Sequence, residues 1–159
     1  MENYKTKLIK TIDLKDTIHL YKSHNVYNHL SKDDVAQHII PSVALNQYKV
    51  FRYDNTGVAY AFTNWAFLND KVQENYKQTG RLNKFDWDSG KNCWHIDTVN
   101  IATNKLTEIY NWTINNLSNH LKDEQYINWI RLNKQGTQVK RINKMTLKEG
   151  KRKFVGKAA

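Results

Sequence analysis

One turn signal between two runs of strand formers constrains this chain most. Asp54-Asn55-Thr56-Gly57 joins side chains that bond nearby backbone to a glycine free to take positive φ. Before it, residues 47–53 supply Tyr48, Val50 and Phe51; after it, residues 58–68 run through Tyr60, Phe62, Trp65 and Phe67. Aromatic and β-branched residues on both sides of such a turn predict a hairpin.

The flanking segments predict helices and further strands. Ser31, followed by Lys32, Asp33 and Asp34, sets a capping hydroxyl ahead of acids at the positive end of a helix dipole. Val35, Ile39 and Val43 would line the buried side of that helix, and Pro41 is expected to kink or end it. An earlier helix is expected within residues 13–30, from Leu14, Ile18, Leu20, Tyr21 and Tyr27. Residues 69–78 read as a short polar helix ended by Thr79-Gly80. Residues 105–121 hold Leu106, Ile109, Tyr110, Thr113, Leu117 and Leu121 at helical spacing. Residues 93–101, 126–132 and 139–145 are expected strands. The order predicts a mixed central sheet flanked by helices, an α/β (α+β) fold.

Composition narrows the class. A chain of 159 residues fits one domain with a real core, and 12% aromatic residues is too high for a disordered chain. The lone cysteine, Cys93, excludes an intrachain disulfide framework and favours a reducing compartment. No apolar run approaches the roughly 18–20 residues of a membrane span, and no apolar signal region follows the charged N-terminus. A cytoplasmic protein is expected. Charge is uneven. Residues 140–159 hold Lys140, Arg141, Lys144, Lys148, Lys151, Arg152, Lys153 and Lys157 against Glu149, a net +7 of the chain's +10. The expected organisation is a single domain over 1–139 and a basic C-terminal tail over 140–159, either solvated or an arm for an acidic partner. With Phe154 as its one aromatic residue, the tail lacks the repeated stacking platforms of a single-strand nucleic-acid binder. An acidic carrier protein is the other partner that its charge fits.

The residues that could carry chemistry are few. Asp97 lies among strand formers in Cys93-Trp94-His95-Ile96-Asp97-Thr98-Val99. A carboxylate there either points to water or is paired, and a paired one can orient a histidine and stabilise its imidazolium. His19, His24, His29, His38, His95 and His120 are all able to take a proton near neutrality. His19 and His120 sit in helical patterns, His24 and His29 lie at a helix junction, and His95 shares a strand face with Asp97. Cys93 reads as a small packed hydrophobe rather than a nucleophile. Cys93-x-His95-x-Asp97 comes without CxxC or HExxH, so no metal is expected. Residues 101–105 lack the glycine-rich turn with which acetyl-CoA-dependent enzymes hold pyrophosphate.

Four pieces in order carry a family resemblance: Asn46-Gln47-Tyr48, then Val58-Ala59-Tyr60-Ala61-Phe62-Thr63-Asn64-Trp65-Ala66-Phe67-Leu68, then Asp86-Trp87-Asp88-Ser89-Gly90, then Trp94-His95-Ile96-Asp97. Together they resemble the RTX toxin-activating lysine acyltransferases. The resemblance implies an acetyltransferase-like (GNAT-like) fold. It also implies an enzyme that moves a fatty acyl group from acyl carrier protein to the ε-amine of an internal lysine on a protoxin-like protein, with no tightly bound cofactor. A histidine near the N-terminus would be the general base, and the aspartate of the W-x-I-D strand would orient it. The aspartate carries over to Asp97. Leu30-Ser31 and Pro41 make His24 the best match for the base, with His29 as the alternative. Family members tend to pair, so a homodimer is an expectation. Two departures stand out: Asn64 replaces the serine before Trp65, and residues 99–104 replace an Ala-Pro-Phe-Gly stretch. The competing reading is a non-catalytic basic binding module on the same fold, for nucleic acid or a host protein; the tail's composition makes nucleic acid the weaker partner.

Overall fold

The computed structural model describes residues 3–155. Helices α1 (Tyr4–Ser23) and α2 (Lys32–Ala44) precede strands β1 (Tyr48–Arg52) and β2 (Ala59–Leu68). Helix α3 (Asp70–Thr79), strand β3 (Asn92–Asn100) and helix α4 (Leu106–Leu117) follow. Strands β4 (Tyr126–Leu132) and β5 (Val139–Thr146) and helix α5 (Leu147–Phe154) complete the chain. The strands form a five-stranded sheet in the order β1-β2-β3-β4-β5. β1–β2 and β4–β5 are antiparallel and β3–β4 is parallel, so the sheet is mixed. This is the α/β class expected, in keeping with an acetyltransferase-like fold. Among the described residues no helix is long and apolar enough to cross a membrane.

The chain divides into two compact units. The first runs to Trp65 and takes in Asp97–Ala102; the second comprises Ala66–Ile96 and the residues from Thr103 onward.

In the first unit the predicted hairpin forms. Gly57 takes φ 73° at its tip, and the Gly57 and Tyr53 amides donate to Tyr53 O and Val58 O at 2.7 and 3.0 Å. Gln47 pins the start of β1: its carbonyl accepts the Trp65 amide at 3.1 Å and its side-chain amide donates to Trp65 O at 3.0 Å. α1 begins at Tyr4, well before the expected start at residue 13, because Asn3 caps it through the Thr6 amide at 2.8 Å. α2 starts at the Ser31 cap as read. It runs through Pro41 to Ala44 rather than stopping there. The proline takes away one backbone donor, the one that would face the carbonyl four residues earlier; beside it the buried Ser42 hydroxyl donates to Ile39 O at 2.8 Å. α1 packs on α2, and Leu20, Tyr21, Val35 and Ile39 close with Val50, Phe62 and Val99 into one core. Burying each large side chain there contributes about 1.5–3 kcal/mol.

In the second unit Trp87, Trp94, Tyr76 and Leu68 form the core. α3 is closed by Asn69 at one end and by left-handed Gly80 at the other. The Ser89 and Gly90 amides of the Asp86–Gly90 loop donate to Phe67 O at 2.8 and 3.1 Å. Residues 140–154, expected as a tail, belong to β5 and α5. Leu147 is buried, Thr146 caps α5 through the Glu149 amide at 3.1 Å, and α5 packs on α4 and β5. Charge dominates the composition of this stretch, but its spaced apolar residues are enough to fold it. Lys157 lies outside the described residues.

Candidate active site

The site is built on Asp97 in β3. Two neighbours on β2 fix its backbone. The Asp97 amide donates to Asn64 Oδ1 at 2.9 Å, and Thr63 Oγ1 donates to the Asp97 carbonyl at 2.8 Å. The carboxylate side chain is only 15% exposed. Its Oδ2 accepts the Tyr21 hydroxyl at 2.5 Å and faces His38 Nε2 at 2.7 Å. A carboxylate so enclosed is tolerated only when it is paired and bonded, and here one oxygen meets two donors.

Each partner is placed by its helix. Tyr21 lies in the core without exposed surface, its ring 6.0 Å from Phe62 and 5.3 Å from Tyr27. His38 precedes buried Ile39 on α2, so its ring stands beside the apolar stripe of Val35, Ile39 and Val43, with 43% of its side chain open to solvent. Asn64, fully buried, joins the two elements. Its Oδ1 holds the Asp97 amide while its Nδ2 donates to Ser42 Oγ on α2 at 3.0 Å. The residue that departs from the family's serine thus links the strand bearing Asp97 to the helix bearing His38.

Charge follows geometry. Partial burial pulls the His38 imidazole down, but the charge of Asp97 and its hydrogen bond more than offset this, leaving His38 above its ordinary value. Burial and then the Asp97 charge hold the Tyr21 phenol protonated, well above its usual range. The Asp97 charge, followed by burial, raises Tyr27 as well. Tyr21 is therefore a fixed donor. With Nε2–H given to the carboxylate, the neutral His38 ring keeps its lone pair on Nδ1.

The structure brings Asp97 to His38, not to His24 or His29. α1 ends at Ser23, and His24 turns extended as its C-cap (φ −87°, ψ 134°). Its Nδ1 accepts the Val26 amide at 3.1 Å, so the neutral ring carries its proton on Nε2. Burial lowers its basicity further, and its ring lies 5.2 Å from Tyr27. His29 sits exposed in the turn that follows, a turn pinned by Lys22 Nζ, which donates to Asn28 O at 2.9 Å and to Leu30 O. His95 belongs to the second unit, edge-on to Tyr110 at 6.3 Å. Cys93 is buried, which pushes its thiol up to about 12 and leaves it unreactive near neutrality. Among the described residues no group of three or more His, Cys, Asp or Glu is placed to hold a metal ion. His38, Tyr21 and Asn64 are what sequence reasoning missed. The one signal for His38 was its place beside the stripe of Val35 and Ile39, where a side chain flanks the core without entering it.

The sequence model of the RTX toxin acyltransferase (HlyC) family matches residues 10–146, a span that contains Tyr21, His24, His38, Asn64 and Asp97. The chain belongs to the RTX toxin acyltransferase family. The resemblance read from the Asn-Gln-Tyr, Trp-Asp-Ser-Gly and Trp-x-Ile-Asp pieces is borne out. This family member is also similar to an uncharacterized protein of Synechocystis sp., 25% identical over 109 residues that cover 68% of this chain and 71% of that protein.

Proposed function

We propose that the protein is a protein-lysine acyltransferase that takes a fatty acyl group from acyl carrier protein and delivers it to the ε-amine of an internal lysine on a protoxin-like protein, with His38 as general base and Asp97 as its orienter. The observation that carries this reading is the 2.7 Å contact between His38 Nε2 and the largely enclosed Asp97 carboxylate. A lysine ammonium, with a reference pKa near 10.4, is no nucleophile. The acceptor amine must lose one proton before attack and a second as it becomes an amide. His38 Nδ1, the basic nitrogen of a ring whose other side is held by Asp97, takes a proton as the amine nitrogen attacks the thioester carbonyl. The tetrahedral intermediate then expels the carrier's thiolate, and the imidazolium returns the proton to that sulfur. Asp97 stabilises the imidazolium through the interval. No tightly bound cofactor enters this scheme; the acyl carrier protein thioester is a substrate, and the reaction is expected in the cytoplasm. Whether two copies pair for the reaction is part of the same proposal, read by the enzyme's mass in solution.

The test is incubation with acyl carrier protein thioesters and cell lysate, with mass spectrometry for acylated lysines. His38→Ala and Asp97→Asn should each lower acylation by about 10²–10⁴-fold, the usual worth of a positioned acid–base group, while His24→Ala keeps most of it. Loss on His24→Ala with His38→Ala unaffected would reverse the assignment of the base. Equal acylation by wild type, His38→Ala and Asp97→Asn would remove both residues from the mechanism, and acylation by wild type no greater than without the protein would end the catalytic reading in favour of a binding module.

A further inference from the structure

We infer that Tyr21 is a positioning residue that sets the proton affinity of His38 by sharing the Asp97 oxygen that His38 uses. The inference deepens the proposed function and rests on His38 as the base, but its central readout does not require acyl transfer.

The geometry is specific. Tyr21 and His38 meet the same atom, Asp97 Oδ2, at 2.5 and 2.7 Å. A carboxylate oxygen that accepts a strong O–H bond has part of its charge drawn off, and what remains for the next donor is weaker. Tyr21 has no exposed surface, so water cannot replace Asp97 as its partner, and the phenol stays a donor throughout the working pH range. It also limits rotation of the carboxylate, so that Oδ2 rather than Oδ1 is presented to the imidazole. Without the hydroxyl, Asp97 would rely on His38 for more of its neutralisation, and His38 would hold its proton more tightly. A base held in the imidazolium form accepts nothing, so the bond from Tyr21 keeps the pair in a usable range.

Among the described residues, Asp97 of β3 acts on His38 directly, Tyr21 of α1 bonds the same oxygen and has its ring 6.5 Å from that of His38, and Tyr27, in the turn after α1 with the His24 ring beside it, feels the charge of that carboxylate. On its own helix Asp34 stands one turn earlier. Tyr27 feels the Asp97 charge and serves as a control phenol at the same carboxylate.

The experiment follows the ring protons of histidine-labelled protein by NMR against pH, with the His38 signals assigned from His38→Gln. In Tyr21→Phe, which keeps the ring packed on Phe62, the His38 midpoint should rise by about one unit, the lower end of what a hydrogen bond to a charged group is worth. Tyr27→Phe should move it less. Placing 3,5-difluorotyrosine at position 21 makes a stronger donor and should lower the midpoint, a test that keeps the hydroxyl and so does not depend on how well the Phe variant folds. In the acylation assay the acid limb of the rate profile should move with the midpoint. An unchanged His38 midpoint in folded Tyr21→Phe, or in the difluorotyrosine protein, overturns the inference. Shifts of the stated sign without acylation by any variant uphold it while removing the enzyme reading.

Discussion

Replacing Asn64 with alanine should uncouple the strand that carries Asp97 from the helix that carries His38. Asn64 is fully buried and spends both ends of its amide, accepting from the Asp97 amide at 2.9 Å and donating to Ser42 Oγ at 3.0 Å. Alanine leaves the Asp97 N–H without that acceptor, at a cost of about 1–3 kcal/mol for a buried unpaired group, and removes a further bond worth about 0.5–1.5 kcal/mol. The Ser42 hydroxyl keeps its own acceptor, Ile39 O, so no third loss is expected. The sum is about 1.5–4.5 kcal/mol, which for a chain of this size, at about 2–4 °C per kcal/mol, lowers the melting temperature by about 3–18 °C. Circular dichroism melts of wild type, Asn64→Ala and Asn64→Ser measure it. Serine, the residue that the family pattern has here, offers one hydroxyl for two distant partners and should fall between the other two. The acylation rate should drop with the loosened contact between Asp97 and His38. An Asn64→Ala protein that melts within about a degree of wild type would refute this account of the linkage.

Stability should also report the His38–Asp97 pair. Because His38 lies above its ordinary value in the fold, its contribution is fully present below about pH 6.5 and is lost as pH rises through the folded value. Urea titrations should therefore show wild type ahead of His38→Gln by more at about pH 6 than at about pH 9; an equal or larger margin at alkaline pH contradicts the pairing. Gly90→Ala should be costly, on the order of 3 kcal/mol, because a Cβ there runs into the backbone of Leu68 and Asn69, which cannot move aside as a side chain can. Gly57→Ala, with open space but φ of +73°, should cost about 1 kcal/mol from backbone strain alone; the reverse ranking in urea would show that the loop at Gly90 is not held as described.

Local signals explain which parts were legible from sequence. The hairpin was readable because the Asp54–Gly57 turn and the aromatic runs act within a few residues of one another, and Ser31, Asn69 and Gly80 marked helix ends for the same reason. Asp97 was readable because a carboxylate among strand formers needs a partner. Its partner was not, since His38 lies 59 residues away and six histidines offered no local ground for choosing among them. The motif-based choice of His24 followed landmarks along the chain, whereas the carboxylate meets a residue of α2. His24 lies past the end of α1 with its Nδ1 accepting the Val26 amide, a placement that no periodicity reveals. Pro41, expected to kink or end the helix, does not end it: α2 runs on to Ala44, and the helix gives up only the one backbone bond that a proline cannot donate. Residues 140–154 read as a tail, despite the strand signal over 139–145, because charge masked the half-buried Met145 and the buried Leu147.

The cations of β5 have a consequence for how copies of the molecule meet. β5 is the outermost strand on its side of the sheet, and Lys140, Arg141 and Lys144 on it are all exposed. A second molecule adding its own β5 at the roughly 4.8 Å spacing of neighbouring strands would set these like charges against one another. The strand therefore makes a poor template for an endless ribbon. The residues that looked like loose ballast at the end of the chain are, by position, a guard against self-templated aggregation.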